Sequence, residues 1–410
     1  MLKTFNNKNN LVQLITRCVQ PQLGRHHYST NTGDENNKPK TKTAILMLNL
    51  GGPQTLNDVE PFLTRLFTDR DIIKLPFQET VGRLIAKRRS PAVQKLYQSI
   101  GGGSPIGKWT EIQGKALSQR LDQLSPQSAP HKCYIGFRYA SPLVDDAIQQ
   151  MTKDGVTRAV AFSQYPQFSC TTTGSSLNNL WKSLETKGLE SKFDWSIIDR
   201  WPLHEGFVST VASKIQQALT HFANEAKRLN LIGEAAQPVL LFSAHSLPMR
   251  TVERGDPYPT EVAATVSAVV QTLGDQVPQH ILCWQSKVGP LPWLVPKTSD
   301  TVVRLAKAGR NVIIVPIAFT SDHIETLSEI DIELKHLAHE NGMKVFMRSE
   351  SLNDDPKIID AMADIVHRHI SSGEQVANIK QYSLKCPGCI DETGTYCRTI
   401  RNPVSCHATA

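Results

Sequence analysis

No run of about 18 or more apolar residues occurs in the chain, so no segment reads as a membrane-spanning helix. Cysteine is scarce, eight residues in 410, and scattered except at the C-terminus. That excludes the short, Cys-dense framework of secreted disulfide proteins. Several catalytic and binding signatures are missing too. Gly51-Gly52 lacks the G-x-G-x-x-G spacing of a dinucleotide site. Ser243 and Ser246 flank His245 without a G-x-S-x-G elbow, which argues against a serine nucleophile. His323-Ile324-Glu325 is H-x-E rather than H-E-x-x-H, so zincin chemistry fails. With no zinc finger and no aromatic-basic RNP motif, no nucleic-acid partner is expected.

What is present is a globular composition, 40% hydrophobic and 20% charged, in a chain long enough for two α/β domains with their own cores. The net charge of +7 suits an anionic ligand or membrane surface, and part of it comes from the N-terminus. Residues 1–42 stand apart. No acid occurs from Met1 to Gly33, while Lys3, Lys8, Arg17 and Arg25 alternate with Asn, Gln, Ser, Thr and apolar residues. This is the pattern of a mitochondrial transit peptide, with removal expected between His27 and Lys42.

The fold is expected to start at Thr43, with a buried strand ending in the turn Gly51-Gly52-Pro53. Residues 62–91 mix apolar clusters with basic residues. Phe62, Leu63, Leu66, Phe67, Ile72, Ile73, Leu75 and Phe77 suit either a core or an exposed apolar lip beside Lys87, Arg88 and Arg89. Further strands are expected at 131–139 and 158–166. Helices are expected at 108–124, after Ser141-Pro142 with the proline at the first helical position, and at 206–229. Leu231 to Gln237 reads as the boundary between a first α/β domain, 43–230, and a second, 238–380. The second repeats the plan of the first. A strand from Val239 runs to His245, a strand-like run spans 279–288, and residues 311–334 echo 158–180 as strand, polar turn and helix. The fold class is therefore α/β, two Rossmann-like domains of parallel sheet flanked by helices, with a cleft between them.

Asn311–Leu334 concentrates the chemistry. Val312 to Phe319 is unbroken by polar residues and reads as a strand buried on both faces. Asp322 and Glu325 form a capping-box-like helix start. His323 and Glu325 then fall just past a strand's carboxyl end, where open α/β sheets bind ligands. Glu325, Glu329 and Glu333 recur at i, i+4, i+8, a carboxylate row on one helix face, with Glu333 reading as surface. His245 sits at the corresponding strand end in Ser-Ala-His-Ser-Leu-Pro. Two histidines at such ends point to one shared site able to take protons or pass a hard cation.

Residues 381–410 form a cysteine-bearing extension with Cys386, Cys389, Cys397 and Cys406. The C-x-x-C and a third cysteine downstream supply thiolates for zinc or an iron–sulfur cluster. No second C-x-x-C exists, so a fourth ligand would come from elsewhere. Cys170, in a polar turn, is the best distant candidate, since Cys133 and Cys283 lie in strand-like runs.

The blocks Leu48 to Pro53, Ile100 to Ile106, Ile135 to Tyr139, Ser163 to Cys170, Ser243 to Pro248, Arg254 to Pro259, Trp284 to Pro290 and Phe319 to Leu327 resemble, in order, those of the eukaryotic mitochondrial ferrochelatases. The resemblance covers about residues 44 to 400. It implies insertion of Fe²⁺ into protoporphyrin IX, the last step of haem synthesis. It also implies a homodimer associated peripherally with the matrix side of the inner mitochondrial membrane. By the same resemblance, His245 is the central proton acceptor or first metal contact, His323 and Glu325 the opposite wall, and Glu329 a proton or metal conduit behind Glu325. Leu50, Tyr97, Tyr165, Trp293 and Phe319 correspond to porphyrin-wall positions. Arg88, Ser104 and Arg138 correspond to polar positions near the propionates or cleft mouth, and residues 62–91 to a membrane-facing lip. Cys170, Cys386, Cys389 and Cys397 correspond to the ligands of one [2Fe–2S] cluster. The chain departs from the familiar C-x₂-C-x₄-C tail, because the longer loop Ile390 to Tyr396 precedes Cys397. Cys397 is preferred over Cys406 because Arg398 follows it, as in the family.

Overall fold

The computed structural model describes residues 43–374. The transit-peptide expectation and Cys386, Cys389, Cys397 and Cys406 lie outside the described residues. The first half runs β1 (Thr43–Asn49), α1 (Val59–Thr68), α2 (Gln78–Ser99), α3 (Ile106–Leu124), β2 (His131–Phe137), α4 (Val144–Lys153), β3 (Arg158–Ser163), α5 (Ser175–Lys187), β4 (Asp194–Ile198) and α6 (Glu205–Arg228). The second runs β5 (Pro238–His245), α7 (Met249–Glu253), α8 (Tyr258–Leu273), β6 (His280–Gln285), α9 (Thr298–Lys307), β7 (Asn311–Pro316), a π-helical segment (Glu325–Leu334), α10 (Lys335–Glu340), β8 (Phe346–Arg348) and α11 (Pro356–Ser372).

Each half builds one four-stranded, all-parallel sheet, in the orders β2-β1-β3-β4 and β6-β5-β7-β8. The two orders are the same topology written twice. The central strands carry the unbroken apolar runs because helices cover both their faces, and every residue of β1 and of β7 is buried. The strand–turn–helix echo extends further than expected. The turn after β3 enters its helix through a π-helical turn, Cys170–Gly174, and the turn after β7 through the longer segment Glu325–Leu334.

The halves do not keep separate cores. A single apolar cluster runs from Ile45, Leu117 and Phe162 through Trp201 and Phe207 to Leu240, Phe242 and Val366. The C-terminal helix α11 packs on α3 and α6 of the first half, while α6 packs on α8 of the second. Trp201 anchors the seam, stacked on Phe162 at 6.0 Å and edge-on to Phe207 at 5.1 Å, with its indole N–H donating to the Ser163 carbonyl. Truncating such a buried aromatic costs about 3–5 kcal/mol.

Two local expectations are corrected. Ser141-Pro142 is a cis peptide, and α4 begins at Val144 rather than with Pro142 at its first position. The Pro142 carbonyl instead accepts the Phe137 N–H, extending the pairing of β2, and the Asp146 carboxylate caps the Leu143 N–H. Residues 62–91 are neither wholly core nor wholly lip. Leu63 and Phe67 pack with Val59, Ala86 and Tyr97, whereas Phe77 is 85% and Leu84 67% exposed beside exposed Lys87, Arg88 and Arg89.

Candidate active site

In each sheet the strand order reverses between the two central strands, and the crevice at their carboxyl ends is the natural ligand site of such folds. In the second half that crevice lies between β5 and β7. β5 ends on His245, whose side chain is 38% exposed toward the crevice. Beyond β7 the chain passes Phe319 and turns into the π-helical segment, whose first residue is Glu325. His245 Nδ1 lies 2.8 Å from Glu325 Oε2. His323 Nε2 lies 3.9 Å from Glu325 Oε1, and its Nδ1 lies 3.1 Å from the Ser321 carbonyl. The predicted histidines thus converge on one carboxylate.

The Asp322–Glu325 capping box does not form. Asp322 is held by Arg348, Ser351 and Asn353, and Glu325 is drawn to His245. Thr326 takes the capping place, its Oγ1 accepting the His323 N–H at 3.0 Å. Glu325 and Glu329 share a face as the spacing anticipates, but on a π-helix, a rare form that recurs at functional sites. Exposed Glu333 folds back to accept from Ser328.

Ser286 and Gln285 complete the cluster and were not singled out from sequence. Ser286 Oγ lies 2.7 Å from Glu325 Oε2 and 2.5 Å from Glu329 Oε2, and its N–H donates to Glu329 Oε1 at 2.8 Å. Gln285 Nε2 donates to Glu329 Oε2 at 3.2 Å. Ser286 adopts a left-handed φ of 64°, a strained conformation for serine that the three contacts maintain. A serine carries one hydroxyl proton. Two carboxylate oxygens at hydrogen-bond distance therefore require either a shared proton or a protonated carboxyl.

The electrostatics separate the four groups. Burial, the largest influence on His245, pulls its pKa down. The charge of Glu325, its hydrogen bond and Glu329 together outweigh it and raise His245 above 6.5. On His323 burial prevails over Glu325 and holds the ring below 6.5, neutral near pH 7. Glu325 is buried, which alone would raise it, but His245, His323 and Ser286 hold it below the usual carboxylate range. Burial and then the charge of Glu325 push Glu329 upward. Such divergence within one cluster suits groups that exchange protons.

Phe319 packs edge-on against His323 at 4.4 Å and Trp293 against His245 at 6.4 Å. In the first half the Leu50 N–H donates to Tyr165 Oη at 2.9 Å, and that hydroxyl donates to Asn49 Oδ1 at 2.8 Å. Asn49 is the last residue of β1, so this contact joins the carboxyl ends of β1 and β3. Tyr97 is 3% exposed in a cluster that also touches Ile324, and burial followed by the charge of Glu325 raises its phenol. Ser104 packs against Gly52, where an added Cβ would lie 2.6 Å from its hydroxyl. Arg88 is exposed on α2. Arg138 is committed to an internal network, donating to Asp69 at 2.8 Å, Asn179 at 3.0 Å and Ser175 at 3.3 Å.

Residues 42–370 match the protein family described as Ferrochelatase. The chain is 62% identical over 380 residues to mitochondrial ferrochelatase of Dictyostelium discoideum, covering 90% of this chain and 89% of that protein. It is 49% identical over 376 residues to the Homo sapiens protein of the same name, covering 91% and 86%. With a parallel sheet that ends in a histidine–carboxylate crevice and a match across nearly the whole described fold, the chain belongs to the ferrochelatase family, lyases that insert ferrous iron into protoporphyrin in haem synthesis.

Proposed function

We propose that the crevice around His245 and Glu325 is where this ferrochelatase exchanges two pyrrole protons of protoporphyrin IX for Fe²⁺. The observation that carries the assignment is the 2.8 Å contact from His245 Nδ1 to Glu325 Oε2. With its proton on Nδ1 and donated to Glu325, His245 presents the lone pair of Nε2 to the crevice as a base. Once it accepts a pyrrole proton, the imidazolium is stabilised by the same carboxylate. His323 donates Nδ1–H to the Ser321 carbonyl, so its Nε2 is likewise a lone pair, facing Glu325 Oε1. A neutral imidazole and an anionic oxygen 3.9 Å apart suit a passing divalent cation. Glu329 with its raised pKa is the next proton station, reached through Ser286. Loss of two protons balances the charge of the entering ion.

Leu50, Tyr97, Tyr165, Trp293 and Phe319 are the proposed walls. Walls that press the macrocycle out of plane bind the form in which the nitrogen lone pairs are exposed. Arg88, Ser104 and Arg138 are the proposed polar positions toward the propionates, with Arg138 acting from within its Asp69 pair.

Cys170 is proposed as the ligand that the fold contributes to a [2Fe–2S] cluster, with Cys386, Cys389 and Cys397 as the others. It is half-buried at the first position of the π-helical turn Cys170–Gly174. Its N–H is fixed by Asp256 at 2.8 Å. Among the described residues no set of three or more His, Cys, Asp or Glu side chains could hold a metal ion, so the other ligands would have to come from the tail. A bound cluster supplies two linked irons with visible absorbance.

Among the described residues no helix is long and apolar enough to cross a membrane. Peripheral association with the matrix face of the inner mitochondrial membrane is proposed through Phe77 and Leu84 beside Lys87, Arg88 and Arg89. A homodimer is proposed from the family resemblance.

Anaerobic incubation with Fe²⁺ and protoporphyrin IX tests the proposal. It predicts conversion of the free-base spectrum to that of haem with two protons released per iron. A carrier on the same fold would bind porphyrin and leave its spectrum that of the free base. A chelatase for another metal or tetrapyrrole would act on its own pair in preference.

A further inference from the structure

The loop after β3 is bonded to the second half at Gln164, Gln167, Phe168 and Ser169. Thr320 Oγ1 donates to the Gln164 carbonyl, Gln167 Nε2 to Thr265 Oγ1, the Phe168 N–H to Glu261 and the Ser169 hydroxyl to Asp256. Beneath this strap lies a fully buried amide, Gln113 on α3. Its Nε2 donates to the Asn353 carbonyl at 2.6 Å and to the Thr320 carbonyl at 3.3 Å, and its Oε1 accepts from Gln164 Nε2 at 3.2 Å. Asn353, at a left-handed φ of 41°, passes the hold onward. Its Oδ1 accepts the Asp322 N–H and its Nδ2 donates to the Asp322 carboxylate, both at 2.8 Å.

One side chain therefore ties three points. Gln164 precedes Tyr165 on one wall, Thr320 follows Phe319 on the other, and Asn353 fixes the residue before His323. Two donors and one acceptor at the end of a neutral, uncharged stem is the inventory of a primary amide. Gln113 touches none of the reacting groups. Gln164 and Thr320 are buried and Asn353 half-buried, so removing Gln113 takes a partner from the Asn353 carbonyl and the Gln164 amide, while the Thr320 carbonyl keeps the Asn353 N–H.

We propose that Gln113 is a positioning residue that sets the separation of the two walls, and so the pressure that bends the bound ring, without setting affinity for the flat ring. This rests on the crevice being the porphyrin site. A displacement of a fraction of an ångström at such a node lowers rate while leaving flat-ring affinity in place.

The test compares two ligands, protoporphyrin IX and its N-methyl derivative, whose alkylated nitrogen forces the macrocycle out of plane. Gln113→Glu keeps the size and the acceptor but leaves at most one donor, and that only when its carboxyl is protonated. The affinity for protoporphyrin should stay within about twofold, while affinity for the N-methyl ring and kcat each fall about tenfold with KM unchanged. Equal weakening of both ligands, or no change in kcat, overturns the proposal. Asn353→Gly is the second variant should Gln113→Glu fail to fold. Glycine accepts the left-handed φ and removes only the grip on Asp322, and the same ratio of affinities decides. If wild type binds neither porphyrin, the assignment of the crevice itself fails, an outcome separate from the ratio.

Discussion

His245 Nδ1 and Glu325 Oε2 lie 2.8 Å apart across the point where the strand order of the second sheet reverses. The pair explains why one histidine of the site is raised and the other lowered. Both are desolvated, but only His245 makes the short contact.

The first prediction concerns pH. Burial lowers His245, while Glu325 and Glu329 raise it to a net position above 6.5. The neutral ring is the base, so kcat/KM should decline as pH falls through that raised value. In Glu325→Gln the upward influence is largely gone while burial remains, so this limb should move to lower pH. Overall activity should drop about 10²–10⁴-fold, the scale of lost general acid–base help. A pH–rate profile with the limb unmoved would separate Glu325 from His245.

Ser286 offers a comparison of two small substitutions. Both remove the hydroxyl between Glu325 and Glu329, and both should lower kcat about tenfold. Only glycine accepts the φ of 64° without strain. Ser286→Ala should therefore be less stable than Ser286→Gly by about 1 kcal/mol in denaturant titration. Equal stabilities would mean that the left-handed backbone carries no cost.

Much of this site is legible in sequence because it follows from strand ends. The apolar runs after Asn311 and Val239 declare themselves as buried parallel strands, although the first ends at Pro316, where the chain turns, rather than running on to Phe319. Parallel sheets place function at carboxyl ends, so His245, His323 and Glu325 can be found. Other features arise from contacts distant along the chain. Ser286 sits in the stretch Trp284 to Pro290, yet serine gives no hint of a positive φ. The Asp322–Glu325 cap is locally sound, but Arg348, Ser351 and His245 compete for its two carboxylates and win. The π-helix is equally hidden, because a carboxylate spacing of four is compatible with either helix form. The fused core cannot be read either, since apolar periodicity says which face is buried and not which half covers it.

At the lip, Phe77 and Leu84 present apolar side chains to solvent beside a basic cluster. Replacing both with serine should weaken binding to anionic phospholipid vesicles at least tenfold, since each buried side chain contributes about 1.5–3 kcal/mol. Turnover of detergent-dispersed porphyrin should be spared. Unchanged vesicle flotation would remove these residues from the membrane contact.

Cys170→Ser should yield a protein without the visible absorbance of an iron–sulfur cluster and without acid-labile sulfide, from wild type that has both. A wild-type protein that is colourless and carries zinc would contradict the cluster, and a coloured Cys170→Ser would move the fourth ligand elsewhere.

The most direct measurement is a single anaerobic turnover of protoporphyrin IX with Fe²⁺, followed by absorbance in wild type and in His245→Ala. The account predicts that wild type converts the free-base spectrum to that of haem, while His245→Ala binds porphyrin and metallates it at least about 10²-fold more slowly. Metallation by His245→Ala at the wild-type rate would contradict it.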